Sequence, residues 1–306
     1  MSRVHDALRR AEQGGQLGLS SPPAASPVGT LAPDPVSLQG LLDQIEEMRW
    51  DPSEEGHLID AEKPNQAPTE EFRSLRTRLN HLQGIQPLHT LVVTSASPAE
   101  GKTFTAANLA VVQSHLHQNL TLLCDFDFRR PTLHNLFKME RSPGLTDYLL
   151  GKASLSEVIR RVAGTNLFVA PAGSAVLNPL ELLNLKEVRV LMERLPTLFN
   201  WVILDTPPLL FAADANLLAT MCDGTLLVVR LSQTTIDSVT RAIQGMSHNN
   251  VIGVVANGAS RSELYSKYSY YQSYYYGEKE ESEMEPEAVA AAADTSASGE
   301  QPPAQS

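Results

Sequence analysis

Residues 90–103 read Thr-Leu-Val-Val-Thr-Ser-Ala-Ser-Pro-Ala-Glu-Gly-Lys-Thr. The first part is a short β-branched apolar run, as expected of a buried strand, and a helical pattern starts at Lys102. From Ala96 the stretch fits a small residue, four positions, then Gly-Lys-Thr, the template of a phosphate-binding loop set between a strand and a helix. In such a loop the backbone N–H groups and the helix N-terminus face phosphate oxygens. Lys102 then neutralises the β/γ oxygens and the Thr103 hydroxyl is available to Mg²⁺. The residues assigned to the nucleotide site are Ala99, Glu100, Gly101, Lys102 and Thr103, with Phe104 just after the phosphate-contacting residues. An ordinary strand-to-helix turn can also contain Gly-Lys-Thr, so the assignment needs support from elsewhere in the chain.

Working outward, five further apolar runs alternate with helical segments up to Ser260: TLLCDFD, NLFVAPAG, WVILDTP, GTLLVVR and VIGVVANG. Continuous apolar runs separated by helices predict an α/β fold, a mostly parallel sheet with helices on both faces. Ligands bind such sheets at the carboxyl ends of the strands. Three of the runs end there in Ser/Ala, Asp-x-Asp and Asp-Thr-Pro. Asp205 closes the run from Trp201 and stands where a carboxylate holds a magnesium ion or its water in nucleotidases of this kind. Asp125 and Asp127 close another run, and strand alternation puts both on one face. A turn or capping pair before Pro131 is the alternative for these two. Asn257, ending the last run, reads as a turn-forming Asn-Gly pair or, by similarity to related ATPases, as a contact to the adenine, the two equally.

The composition agrees with a globular chain: 306 residues, 42% hydrophobic and 19% charged. This excludes a collagenous, disulfide-framework or wholly disordered protein. No apolar run approaches the roughly 20 residues of a membrane-spanning helix. Two distant cysteines, Cys124 and Cys222, suit a reducing cytoplasm. Net charge is −11, of which residues 277–306 carry −7; the nearly balanced body gives no bulk attraction to nucleic acid, which is not an expected partner.

Before residue 69 the sequence reads as an extension (1–68). It has an amphipathic helix over 1–16, a linker with five prolines between Ser20 and Pro35, and a second helical pattern through Leu38, Leu41, Leu42, Ile45 and Met48. A third helix, with Phe72, Leu75, Leu79 and Leu82 on one face, opens the principal domain (69–262). These helices pack on the core or dock a partner. Seven of the eight tyrosines fall in a cluster (263–276): Tyr265, Tyr268, Tyr270, Tyr271, Tyr274, Tyr275 and Tyr276. The acidic, Ala-rich remainder (277–306) is expected to be disordered.

The set SASPAEGKTFTAANLA, LLCDFDFRRP, WVILDTPP, DGTLLVV and the tyrosine cluster resembles the bacterial tyrosine autokinases of capsule and exopolysaccharide export, in their soluble form. The resemblance covers about residues 70–276 and implies a P-loop NTPase fold using ATP and Mg²⁺. It implies that the tyrosine cluster is the phosphoacceptor, with Lys102, Asp125, Asp127 and Asp205 catalytic. Thr103, Asp125 and Asp205 would serve the metal. An unperturbed phenol has a pKa of about 10, so transfer benefits from a carboxylate that takes its proton, and Asp127 is the expected base. Glu70, Arg73 and Arg76 fit the family's Glu-x-x-Arg-x-x-Arg signature of a ring-forming interface.

The implied partners are other copies in a ring, an inner-membrane polysaccharide co-polymerase or chain-length determinant acting as activator, and a cognate tyrosine phosphatase. The implied location is cytoplasmic, recruited to the inner membrane through that activator. Two positions depart from the family pattern: Ala99 replaces a usual Gly, and Phe104 a hydroxyl residue. ATP binding is expected to survive both, because alanine accepts right-handed helical and extended backbone. The alternative function is a partitioning or positioning ATPase of the MinD/ParA type. Those carry a signature Lys where Ser97 stands here, and their membrane- or DNA-binding ends are basic rather than tyrosine-rich and acidic.

Overall fold

A computed structural model describes residues 38–50, 68–117, 119–246 and 250–259. The helix expected over 1–16, the proline linker, the tyrosine cluster and the acidic tail lie outside the described residues. The order of elements is α1 (Leu38–Leu42), β1 (Glu46–Met48), α2 (Thr69–Gln83), β2 (Thr90–Ser95), α3 (Lys102–Ser114), β3 (Thr121–Asp125), α4 (Leu133–Leu136), α5 (Leu145–Leu149), α6 (Leu155–Val158), β4 (Arg160–Val162) and β5 (Leu167–Ala170). It continues with α7 (Pro179–Leu183), α8 (Lys186–Leu198), β6 (Trp201–Asp205), α9 (Asp214–Ala219), β7 (Gly224–Arg230), α10 (Ile236–Gln244) and β8 (Val251–Asn257).

The strands form one eight-stranded sheet in the order β1-β4-β5-β3-β6-β2-β7-β8. Every neighbouring pair is parallel except β4 with β5. All six apolar runs are strands. The four at the centre, β5, β3, β6 and β2, are buried along their whole length, which is why they read as unbroken apolar runs rather than alternating ones. Connections leaving β2 and β6 run to opposite sides of the sheet, so their carboxyl ends border the crevice where ligands bind in open α/β sheets.

α2 packs on α3, burying Phe72 and Leu79. Full burial of such side chains stabilises by about 1.5–3 kcal/mol each. Arg76 donates to the carbonyl of Val112 (2.8 Å), one of the last acceptors of α3, as suits a cation at a helix C-terminus. Gln113 Nε2 donates to Asn80 Oδ1 (3.1 Å). This helix therefore packs on the core through its apolar face.

The structure corrects the helical pattern proposed from Leu38 to Met48. The helix stops at Leu42, and Glu46–Met48 is an edge strand paired in parallel with β4. A five-residue helix has little stability of its own. The open edge of β4 instead offers backbone hydrogen bonds and two ion pairs, Glu46 with Arg160 (3.3 Å) and Glu47 with Arg161 (3.5 Å). Residues 46–48 of the expected extension are thereby part of the central sheet. His115 and His117, at the end of α3, are both exposed.

Candidate active site

The β2–α3 loop has the phosphate-binding shape for local reasons. Gly101 sits at φ 95° at the N-terminus of α3, a left-handed backbone that glycine adopts without penalty. A Cβ there would also lie 1.8 Å from Asn257 Nδ2. Ala99 takes φ 62°. That corrects the expectation of right-handed or extended backbone: alanine occupies the left-handed region glycine would favour.

Parallel pairing then brings the acids to this loop. Asp125 and Asp205 are register partners on adjacent strands, and Asp205 is level with Val93 of β2 on its other side. Lys102 Nζ lies 2.9 Å from Asp127 Oδ2 and 3.9 Å from Asp205 Oδ1. Thr103 Oγ1 is 3.4 Å from the same ammonium and 3.5 Å from Thr132 Oγ1.

The three carboxylates are all buried but differently engaged. Asp125 Oδ1 accepts from the Asp127 N–H, and Oδ2 from the N–H groups of Thr132 and Leu133. It thus organises the 126–133 loop as well as facing the site. Asp127 Oδ1 accepts from Arg130 N and its other oxygen holds Lys102. Asp205 is fully buried; no donor lies within 3.5 Å of either oxygen, and the Lys102 ammonium, the Thr103 hydroxyl and the Thr206 N–H are its nearest polar neighbours.

One ammonium among three buried carboxylates leaves the cluster short of positive charge. Burial and the neighbouring Asp205 push Asp125 well above the usual carboxylate range. Burial likewise raises Asp205, with the Lys102 charge opposing it. Burial works against the Lys102 charge, but Asp205 and Asp127 outweigh it and hold the ammonium above its ordinary pKa. Buried carboxylate oxygens without a close donor, next to the Thr103 hydroxyl, are a hard oxygen donor set, the kind magnesium takes. The residues present therefore fit a divalent cation held by Thr103 and Asp205.

The remaining expected site residues are distributed as follows. The Phe104 ring packs edge-on against Phe72 (5.8 Å between centroids), so its side chain belongs to the α2–α3 contact. Asn257 Nδ2 donates to the Glu100 carbonyl (3.0 Å), and its Oδ1 accepts from Gly258 N (2.9 Å). Glu70 and Arg73 form an exposed ion pair (2.5 Å), and Arg76 reaches α3 as described. Two features escaped the sequence reading. Arg129 makes a two-pronged pair with the fully buried Asp214, both bonds 2.9 Å, tying the 126–133 loop to α9. The turn after β7 also holds the phosphate loop, through Arg230 on Ala99 O (3.0 Å) and Thr234 on Glu100 Oε1 (2.5 Å).

No protein-family model matches the chain. Among curated proteins, it is 34% identical over 217 residues to the tyrosine-protein kinase YwqD of Bacillus subtilis, covering 70% of this chain and 91% of YwqD. It is 34% identical to the tyrosine-protein kinase Etk of Escherichia coli K12 and 32% identical to Wzc of Salmonella typhimurium. These matches take in 70% and 71% of this chain, but only 29% of Etk and 31% of Wzc. Among solved structures, the kinase domain of Escherichia coli Etk superposes with a TM-score of 0.62 at 33% identity, over 65% of this chain and 78% of that one. The chimerical protein CapA2B2 gives a TM-score of 0.62 at 26% identity, over 73% of this chain and all of that one. With its P-loop, its convergent aspartates and these relatives, the chain belongs to the bacterial tyrosine-protein kinases.

Proposed function

We propose that this kinase is an ATP- and Mg²⁺-dependent autokinase whose acceptor is its own tyrosine cluster, Tyr265 to Tyr276, and that it regulates exopolysaccharide or capsule polymerisation and export. The observation that carries the reading is the Lys102–Asp127–Asp205 cluster at the mouth of the P-loop. The backbone N–H groups from Ala99 to Phe104 receive the phosphates, and Lys102 exchanges its bond to Asp127 for the β/γ oxygens. That exchange frees Asp127 Oδ2. A tyrosine oxygen then bonds to the γ-phosphorus as the bond to the bridging oxygen breaks; the phenol proton passes to Asp127 and ADP leaves. The transition state is loose, so positioning and charge neutralisation do most of the work. A magnesium ion, when bound, supplies charge neutralisation of the phosphate oxygens, and Thr103 and Asp205, with Asp125 behind them, are the residues to hold it.

The exposed Glu70 and the half-buried Arg73, with Arg76, are assigned to contacts between copies in a ring. A membrane co-polymerase as activator and a tyrosine phosphatase as antagonist complete the cycle, with the kinase recruited to the inner membrane from the cytoplasm; no described helix is long and apolar enough to cross a membrane. The test is phosphosite mapping by mass spectrometry after incubating the purified chain with Mg·ATP. Phosphate on residues 265–276 is expected. Nucleotide turnover with no phosphotyrosine would reject the autokinase reading in favour of a MinD/ParA-type ATPase.

A further inference from the structure

The P-loop is held from behind by a segment some 130 residues further along the chain. Ala99 is in the left-handed region, at φ 62°, and its carbonyl accepts from Arg230 Nη1 (3.0 Å). Glu100 is only 4% exposed, and both carboxylate oxygens are engaged: Oε2 by the Ser97 N–H (3.0 Å) and Oε1 by the Thr234 hydroxyl (2.5 Å). Thr234 Oγ1 in turn accepts from Arg230 N (2.8 Å), and Thr234 N donates back to Arg230 O (2.9 Å). The turn is pinned to the end of β8 by Leu231 N on Asn257 O (2.9 Å), and Asn257 closes the circuit on Glu100 O (3.0 Å).

Two physical problems are solved by this circuit. An L-residue in left-handed backbone tends to relax away from it, and an anchored carbonyl prevents that at Ala99. A carboxylate inside an anion-binding loop repels phosphate, and bonds to both Glu100 oxygens hold it turned toward Ser97 and Thr234. We propose that Arg230 and Thr234 are positioning residues for nucleotide binding, keeping Ala99 and Glu100 in the arrangement that points the loop N–H groups at phosphate. The proposal rests on the reading of residues 96–103 as the nucleotide site.

The test is calorimetric titration of the full chain with Mg·ADP, alongside thermal melting. If the wild-type chain fails to bind Mg·ADP, the nucleotide-site reading itself is wrong. Given wild-type binding, Arg230→Gln and Thr234→Val are each expected to weaken it roughly 10- to 100-fold, the worth of one hydrogen bond to a charged group. Thr234→Ser, which keeps the hydroxyl, should bind within about threefold of wild type, since the same bond is retained. Ala99→Gly added to Arg230→Gln should restore most of the affinity, because glycine adopts the left-handed backbone unaided. Wild-type affinity in both variants, or a loss that neither serine nor glycine recovers, overturns the proposal. Should Thr234→Val not fold, the Arg230→Gln and Ala99→Gly pair decides on its own, because the Arg230 bond lies at the exposed rim.

Discussion

Replacing Lys102 by Met removes the ammonium from a cluster in which it stands 2.9 Å from Asp127 and 3.9 Å from Asp205. At an effective dielectric constant of about 20, unit charges at those separations attract by about 6 and about 4 kcal/mol. Desolvation of the three groups offsets most of this. Removing one partner of a buried pair leaves an uncompensated charge, at a typical loss of about 3–5 kcal/mol. The lower end applies here, because carboxylates with raised pKa values relieve the repulsion by taking a proton.

Lys102→Met is therefore expected to stay folded in water but to lose about 3 kcal/mol, a fall in urea midpoint of about 1.5 M for a slope near 2 kcal/mol/M. Adding Asp127→Asn should recover most of that stability. Phosphotyrosine formation should drop at least ~100-fold in the single variant and stay low in the double, because the charge at the phosphates is missing from both. The assays are urea denaturation followed by fluorescence and anti-phosphotyrosine labelling with Mg·ATP. A wild-type urea midpoint in Lys102→Met would refute the electrostatic argument. Undiminished labelling would refute the site.

Gly101→Ala should weaken Mg·ADP binding at least ~10-fold, through left-handed strain and overlap with Asn257; adding Asn257→Ala should recover only part of it, and a titration equal to wild type would exclude the overlap. Burial works against the charge of Asp147, but hydrogen bonds from Ser174, Gly144 and Ser142 hold its pKa below the ordinary value. A depressed folded-state pKa adds stability above the unfolded value of about 3.9 and loses it as pH falls further. The stability gap between wild type and Asp147→Asn, about 1–2 kcal/mol, should thus be constant from pH 7 to 5 and close below about 4 in urea titrations; a gap unaffected by pH would contradict this. Arg73→Ala should reduce the oligomer seen by light scattering with little change in melting temperature, whereas Arg76→Ala also removes the bond to Val112 and should lower both. Equal masses for Arg73→Ala and wild type would remove Arg73 from the interface.

Some of this protein was legible residue by residue. The stretch from Thr90 to Thr103 announced strand, loop and helix because each depends on neighbours within a few positions: apolar runs for buried strands, Gly101 for the turn, and the helical pattern that starts at Lys102. The central strands were readable because burial on both faces leaves no polar residue to interrupt them. β1 and β4, with the sequences Glu-Glu-Met and Arg-Arg-Val, carry no such run. They are strands because an open sheet edge was available to pair them.

Which polar groups meet was settled by the tertiary structure alone. Register between β3 and β6 makes Asp125 and Asp205 neighbours across 80 positions of sequence, and burial then leaves Asp205 with no donor within 3.5 Å while Asp125 anchors a loop. The left-handed turn at Ala99 is not signalled by the residue itself, because alanine ordinarily avoids it; it occurs where Arg230, delivered by the end of β7, holds the carbonyl. Local patterns encode the type of each element, since hydrogen bonding and burial periodicity act over a turn or a strand. Hydrogen bonds and charges between distant residues depend on how whole strands align, and that alignment is a property of the packed sheet.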